Sequence, residues 1–487
     1  MFNRSVKKGK MLFIVLLIVL LVVLVVLLLI ILLLIVFLLI VFLLVFLLIV
    51  FHGNTLPFNF WYRNSICYGL TIYTHRKRIN CNAPSNNNGE KLQRGTEMIL
   101  IQNGTVLTMA GKTYQQGCVL IEDDKIKKVG PHISFQPGKN DRVIDASGCW
   151  VMPGLIEAHC HLGISEEKKG FEGNDCNEVT EPVTPYLKAL DAINPMDSAF
   201  HNAVRAGITS AMVGPGSSNV VGGQFVFLKL DGRCMDDMVV LEPAAMKVAF
   251  GENPKTNYHD QNMMPSTRMS IAAMLREELF DAKQYARQKN KAQENGEEFE
   301  LDYRKECWLP VLEGKIPLKA HVHRSDDILT AIRIAKEYGL NMTLDHCTEG
   351  HFITEKIKQS GFPAIVGPSI ASRNKIEIQY MDFKTAGLLH QAGVKVAITT
   401  DHPVSLIQYL PICAGLAARE GLGVEEGLKA ITINAAEICG VADRVGSLKE
   451  GKDADIAIFD GNPMEVFTKT KYTIMNGKIV FENGKSS

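Results

Sequence analysis

Two histidines separated by one residue, in the tripeptide His159-Cys160-His161, follow the strand-like run 149–158. An extended chain alternates its side chains, so both imidazoles leave the same face and can grip one metal ion. Alone, such a pair fits equally well two histidines hydrogen-bonded in a core. What constrains the fold is repetition of the arrangement downstream. Ile316-Pro-Leu-Lys-Ala-His321-Val-His323, Asn341-Met-Thr-Leu-Asp345-His346 and Val394-Lys-Val-Ala-Ile-Thr-Thr-Asp401 each carry a candidate ligand near the end of a run that reads as a buried parallel strand. Helix-like segments with glycine stops, 332–339 and 383–393, alternate with them. Ligands at the carboxyl ends of successive parallel strands converge only if the sheet closes, and that face is where barrel enzymes hold their chemistry. The expected fold is therefore α/β, a (β/α)8 TIM-like barrel.

With these residues in place the chain resembles the amidohydrolase superfamily, whose pattern is His-X-His on the first barrel strand, a bridging Lys or Glu, two further histidines and a final Asp. The matching positions are His159, His161, His321, His346 and Asp401. Pro153-Gly154, the stretch 446–459 and the closing Met475-Asn-Gly-Lys-Ile-Val480 are similar to its imidazolonepropionase-like and prolidase-like branch. The resemblance runs from about Met98 to the carboxyl end.

For the bridging position, Met246-Lys247-Val-Ala-Phe-Gly251 resembles the branch's Lys-containing run, in which the lysine is carboxylated and holds two metals. Glu252 is the alternative, since it binds metal without modification. Strand alternation puts Lys247 and Glu252 on opposite faces unless the strand ends before Glu252. A carboxylated Lys247 implies two ions, one on His159, His161 and Asp401 and the other on His321 and His346; otherwise a single ion is expected. Zinc is the favoured divalent metal, although imidazole and carboxylate suit Mn, Fe and Co as well.

A divalent ion held by imidazoles and carboxylates lowers the pKa of bound water from about 15.7 toward 7 and polarises a carbonyl. Asp401 is the expected general base and then acid, returning a proton to the departing amine; a strand-end residue capping the next helix is its plain alternative. His323 shares the face of His321 and either contacts substrate or orients a ligand. Arg373 and Lys375 are candidates for binding a substrate carboxylate, or else surface ion-pair partners. Residues 214–223, rich in glycine, read as a tight loop at the barrel mouth, and 174–185 as a pocket-shaping segment.

Short alternating runs such as Cys118-Val-Leu-Ile-Glu122 and Lys125-Ile-Lys-Lys-Val129 read as hairpins, as does the tail from Asp455 to Glu482. The resemblance implies that 98–150 and 446–487 join as one small composite β-sandwich beside the barrel, 151–445. A charged stretch near 276–305 reads as an exposed helical insertion, either a lid or a solvated hairpin.

Lys+Arg and Asp+Glu are 52 each, and that balance carries no nucleic-acid signature. The partner expected is a small-molecule substrate, and a homo-oligomer is compatible with the sequence. Eleven cysteines without paired spacing argue for a reducing compartment, hence the cytoplasm. Residues 11–51 are unbroken Leu, Val, Ile and Phe, about twice a bilayer span of roughly 20 residues. Taken at face value they anchor the protein in a membrane. The competing reading is that translation starts at Met98, after a purine-rich codon run for Gln93-Arg94-Gly95, and that 1–97 is a gene-start artefact.

The leading functional expectation is a metal-dependent hydrolase cleaving a carbon–nitrogen bond in an amide, cyclic amide or short peptide. Deamination or phosphoester hydrolysis on the same barrel is the alternative among enzymes, since fold does not fix reaction. A membrane-tethered metal-binding protein without turnover is the alternative of another class.

Overall fold

The structure, a computed structural model, describes residues 97–167 and 170–485. The apolar run 11–51 and the question of a start at Met98 lie outside the described residues. Among the described residues, 97–167 and 170–485, no helix is long and apolar enough to cross a membrane.

Apolar alternation at both ends of this segment produces one eight-stranded sheet. Its strands are β1 (Met98–Leu107), β2 (Thr113–Glu122), β3 (Lys125–Gly130), β4 (Arg142–Asp145), β5 (Trp150–Pro153), and, after the barrel, β14 (Ile456–Phe459), β15 (Thr470–Met475) and β16 (Lys478–Glu482). The order is β16-β15-β14-β5-β1-β2-β3, with β4 beside β1. The carboxyl-terminal strands join the amino-terminal ones where β14 runs antiparallel to β5, Ile456 opposite Pro153. One face buries Ile101, Val106, Val119, Ile121, Val151, Ile456, Ile458 and Ile474. The motif residues near the end of the chain make the junction with the barrel. Lys229 is buried and donates to Asp455 and to Asn476 Oδ1 at 3.1 Å, with Asp453 Oδ2 at 3.1 Å. Gly477, at φ +73°, leaves no room for a side chain, since a Cβ would stand 1.7 Å from the Asp123 carbonyl oxygen.

The barrel strands are β6 (Leu155–Cys160), β7 (Ile208–Val213), β8 (Val221–Lys229), β9 (Val239–Ala249), β10 (Leu318–Val322), β11 (Met342–His346), β12 (Ala364–Val366) and β13 (Val396–Ile398), hydrogen-bonded in that order. The two ends of the ladder meet where the His161 N–H donates to the His402 carbonyl at 2.9 Å. One departure from the expected all-parallel barrel is plain: β8 is antiparallel to both β7 and β9. The loop 214–220 between β7 and β8 is too short for a crossover helix, and a direct return can only produce an antiparallel strand.

Helices cover the outside, among them Ser198–Arg205, Ser325–Tyr338, Lys384–Gln391 and Leu410–Ala417. The charged stretch expected as an insertion over 276–305 is instead part of one 28-residue helix, Arg268–Asn295. It begins at a Thr267–Ser270 capping box and ends on Gly296 at φ +68°. Ile271, Leu275, Leu279, Ala282 and Tyr285 recur at helical spacing and are buried, and none of the helix lines the cavity at the barrel mouth. The lid reading is thereby corrected. High charge marked the solvent face of a packed helix.

Candidate metal centre

Register determines which side chains reach the barrel axis. Lys319 pairs with Lys247 on β9 and with Thr343 on β11, while His321 pairs with Ala249 and Asp345. Lys247, Lys319, His321, Thr343 and Asp345 consequently share the inner face. His346 follows Asp345 directly and would face outward by alternation. Its φ of +72° breaks the extended geometry, so both neighbours reach His159: Asp345 Oδ2 lies 2.7 Å from His159 Nδ1, and the His159 and His346 rings are 5.0 Å apart. Asp401, just beyond β13, has φ +52°, and its N–H donates to Thr399 Oγ1 at 2.9 Å.

Two groups of ligand atoms result, each within 4.8 Å of one another: His159, His161 and Asp401, and His321, His323 and His346. Asp401 Oδ1 stands 3.2 Å from His161 Nε2 and 3.5 Å from His159 Nε2. Each imidazole is tied from behind through Nδ1. His161 Nδ1 donates to the Gly214 carbonyl at 2.7 Å and His346 Nδ1 to the Gly367 carbonyl at 2.8 Å. His321 Nδ1 meets Ser217 Oγ at 2.9 Å and His323 Nδ1 meets Thr348 Oγ1 at 2.7 Å. For His159, His161 and His346 the partner only accepts, so the proton sits on Nδ1 and the Nε2 lone pair faces inward, the arrangement of a metal-ligating histidine.

The electrostatics agree with that arrangement at every ring but His161, whose Nε2 carries a proton toward Asp401 that a bound ion would replace. Burial holds His159, His321 and His346 well below the usual imidazole pKa, and His323 down to about 4, so these rings are neutral. Burial also opposes charge on His161, but the Cys176 and Asp401 side chains overcome it and push its pKa up to about 10. Burial would raise Asp401, yet His346, His161 and Lys247 hold it below the ordinary carboxylate range. Lys247 is fully buried and lowered to about 8 by desolvation. Its Nζ has no hydrogen-bond partner and lies 5.8 Å from the Phe225 ring centre.

Buried polar atoms without partners concentrate here: His159 Nε2, Lys247 Nζ, Glu377 Oε1 and Asp401 Oδ1. Buried polar groups are normally paired or coordinate metals, so the donor set fits divalent ions. Glu252 is placed differently. The strand ends at Ala249, and Glu252 opens the helix Glu252–His259, where its carboxylate accepts the Glu377 N–H at 3.2 Å. It lines the cavity but joins neither ligand group.

Above the ligands opens a cavity of about 690 Å³, whose walls include Asn174, Cys176, Asn177, Ser217, Asn253 and Lys375. Both loops singled out in the sequence, 174–185 and 214–223, contribute to it. Lys375 bonds Asn253 Oδ1 at the wall. Arg373, expected to bind substrate or to pair at the surface, is exposed, donates to the Met381 carbonyl at 2.7 Å and does not itself line the cavity. Cys160 and Cys347 are buried in the core as free thiols. Sequence reasoning missed Asp345, Glu377 and Glu157. Glu157 accepts from the Thr400 N–H at 2.9 Å, Thr400 Oγ1 at 2.6 Å and the His159 N–H at 3.2 Å, lashing the Asp401 loop to β6. Burial raises its pKa to about 7 against those hydrogen bonds.

Barrel and ligand cluster together describe a barrel hydrolase with two groups of residues that could hold divalent metal. The family model for the amidohydrolase family matches residues 150–480, and the chain belongs to that family. An amidohydrolase structure from Thermotoga maritima is 39% identical, covers 79% of this chain and 100% of that one, and superposes with a TM-score of 0.76. The amidohydrolase tasK of Hapsidospora irregularis is 26% identical over 399 residues, 77% of this chain; the match spans only 41% of that longer relative. A dihydroorotase of Caldicellulosiruptor saccharolyticus is 23% identical over 443 residues, 79% of this chain and 95% of that protein.

Proposed function

We propose that this enzyme hydrolyses a carbon–nitrogen bond in a small amide, cyclic amide or short peptide, at a dinuclear centre, with Asp401 as general base and acid. The observation that carries the reading is the pair of buried ligand groups flanking an unpartnered Lys247 Nζ. His159, His161 and Asp401 hold one ion, and His321 and His346 the other. Desolvation lowers the pKa of Lys247 to about 8 and so raises its share of free amine near neutrality, the form that would take up CO2 as a carbamate able to hold the ions. When bound, the ions supply a water whose pKa falls from about 15.7 toward 7 and a Lewis acid for the scissile carbonyl.

Asp401 accepts the water's proton on its carboxylate and returns it to the departing nitrogen. His323 orients its neighbours through Thr348. Lys375 meets a substrate carboxylate at the cavity wall, a single ammonium among amide and hydroxyl groups, which favours a small polar substrate. The sheet built from both chain ends stabilises the barrel as a composite domain and does no chemistry. Eleven cysteines without paired spacing in the sequence fit a reducing, cytoplasmic setting.

Incubation with acyl amino acids, dipeptides and cyclic amides, assayed for newly released amine, tests the reading. Release of a primary or secondary amine that disappears on chelation and in Asp401→Asn supports it. Ammonia as the sole nitrogen product would point to deamination instead.

A further inference from the structure

Glu377 is 1% exposed, in a single helical turn, Ile376–Ile378, on the loop after β12. Its Oε2 accepts the Glu252 N–H at 2.9 Å, and its own backbone N–H donates to Glu252 Oε2 at 3.2 Å, which ties the turn to the same residue. Gly251 permits this approach, because a Cβ there would lie 2.9 Å from Glu377 Oε2. Oε1 has no hydrogen-bond partner. It faces His321 Nε2 at 3.7 Å, His323 Nε2 at 3.9 Å and Lys375 Nζ at 3.7 Å. The Asn253 amide also reaches His321 Nε2, at 3.3 Å, and leaves Oε1 unengaged.

The contacts from Oε1 to the two rings are too long for hydrogen bonds. They match the spacing of two donors on one ion, since ligands at about 2.1 Å in tetrahedral array stand about 3.4 Å apart. A buried carboxylate, held through Oε2 and aiming its unpartnered Oε1 at two imidazole nitrogens, is built for a cation. We propose that Glu377 ligates the ion at the His321, His323 and His346 group, adding a carboxylate to those imidazoles beside the Lys247 carbamate proposed above. His323 then ligates as well as orients. This inference rests on the metal-dependent reading above.

The test is Co2+ binding to the full-length protein, followed by elemental analysis and visible absorption, for wild type, Glu377→Gln and Lys375→Met. Wild type is expected to bind two ions. Glu377→Gln should retain the ion at His159, His161 and Asp401, which also reports an intact barrel. Its other ion should bind more weakly by at least the roughly 10- to 100-fold that an outer partner is worth, with an altered spectrum. Lys375→Met removes the ammonium but keeps the carboxylate, and should hold both ions. Wild-type affinity and spectrum in Glu377→Gln would overturn the assignment while leaving the metal-dependent reading intact. Equal losses in Lys375→Met and Glu377→Gln would overturn it too, by tracing the effect to the ammonium. Should Glu377→Gln lose both ions, recovery of the second in Glu377→Asp supports a ligating carboxylate and its absence overturns it. A wild-type protein that binds no ion would instead remove the underlying reading.

Discussion

Asp345 on β11 reaches across the barrel to His159 on β6, its Oδ2 accepting the Nδ1–H at 2.7 Å with both side chains fully buried. The same carboxylate accepts from Thr343 Oγ1 at 2.6 Å and lies 3.1 Å from Lys319 Nζ. It fixes the tautomer that presents His159 Nε2 to a metal. Asp345→Asn should weaken binding at the His159, His161 and Asp401 position by about 10- to 100-fold. Competition with a chelating indicator measures this; an unchanged affinity would show that Asp345 serves only the fold.

Asp401→Asn should lower kcat by about 10²- to 10⁴-fold, the range for a positioned acid–base group. Its thermal midpoint should stay close to that of the wild type, because the anchoring bond is made by the backbone N–H to Thr399. Steady-state kinetics beside a melting curve separate the two effects.

Lys375→Ala should raise KM for carboxylate-bearing substrates while changing kcat little, as expected of binding that is uniform along the reaction. Arg373→Ala, whose guanidinium bonds the Met381 carbonyl and does not line the cavity, should leave both parameters unchanged. A comparison of the two variants on acidic and neutral substrates decides between them.

Glu157 binds its proton more tightly folded than unfolded, its pKa rising from 4.5 to about 7. Its contribution is full below the unfolded value and is lost as pH rises through the folded one. Urea unfolding should therefore show about 3 kcal/mol of stability disappearing between pH 4.5 and 7. Glu157→Gln, neutral throughout, should remove that part of the slope.

Leu279→Ala should cost about 2–5 kcal/mol by opening a cavity under the helix Arg268–Asn295. Turnover of the folded enzyme should not change, since the helix does not line the cavity. Denaturant midpoints and specific activity at low temperature check both statements.

The barrel was legible because His159, His161, His321, His346 and Asp401 fall at the ends of apolar runs, and strand periodicity is a local property. Lys247 was legible only as one of two options; choosing required knowing that β9 stops at Ala249. Asp345 was hidden because it adjoins His346, and only the left-handed conformation of His346 lets both point inward. Glu377 lies in an irregular loop, where no periodicity reports burial. The direction of β8 was equally silent, since an apolar run such as Val221–Lys229 reads alike in either sense and only the short loop before it forces the reversal. The helix Arg268–Asn295 misled through composition, its exposed residues outnumbering the stripe that packs.

Metal content per chain tests the central claim most directly. Elemental analysis of the purified protein, after zinc loading under CO2 and removal of free ions, should give close to two divalent ions. Lys247→Ala should lose ions that a short-chain carboxylic acid partly restores. Retention of no ion by the wild-type protein, even after loading, would contradict the account.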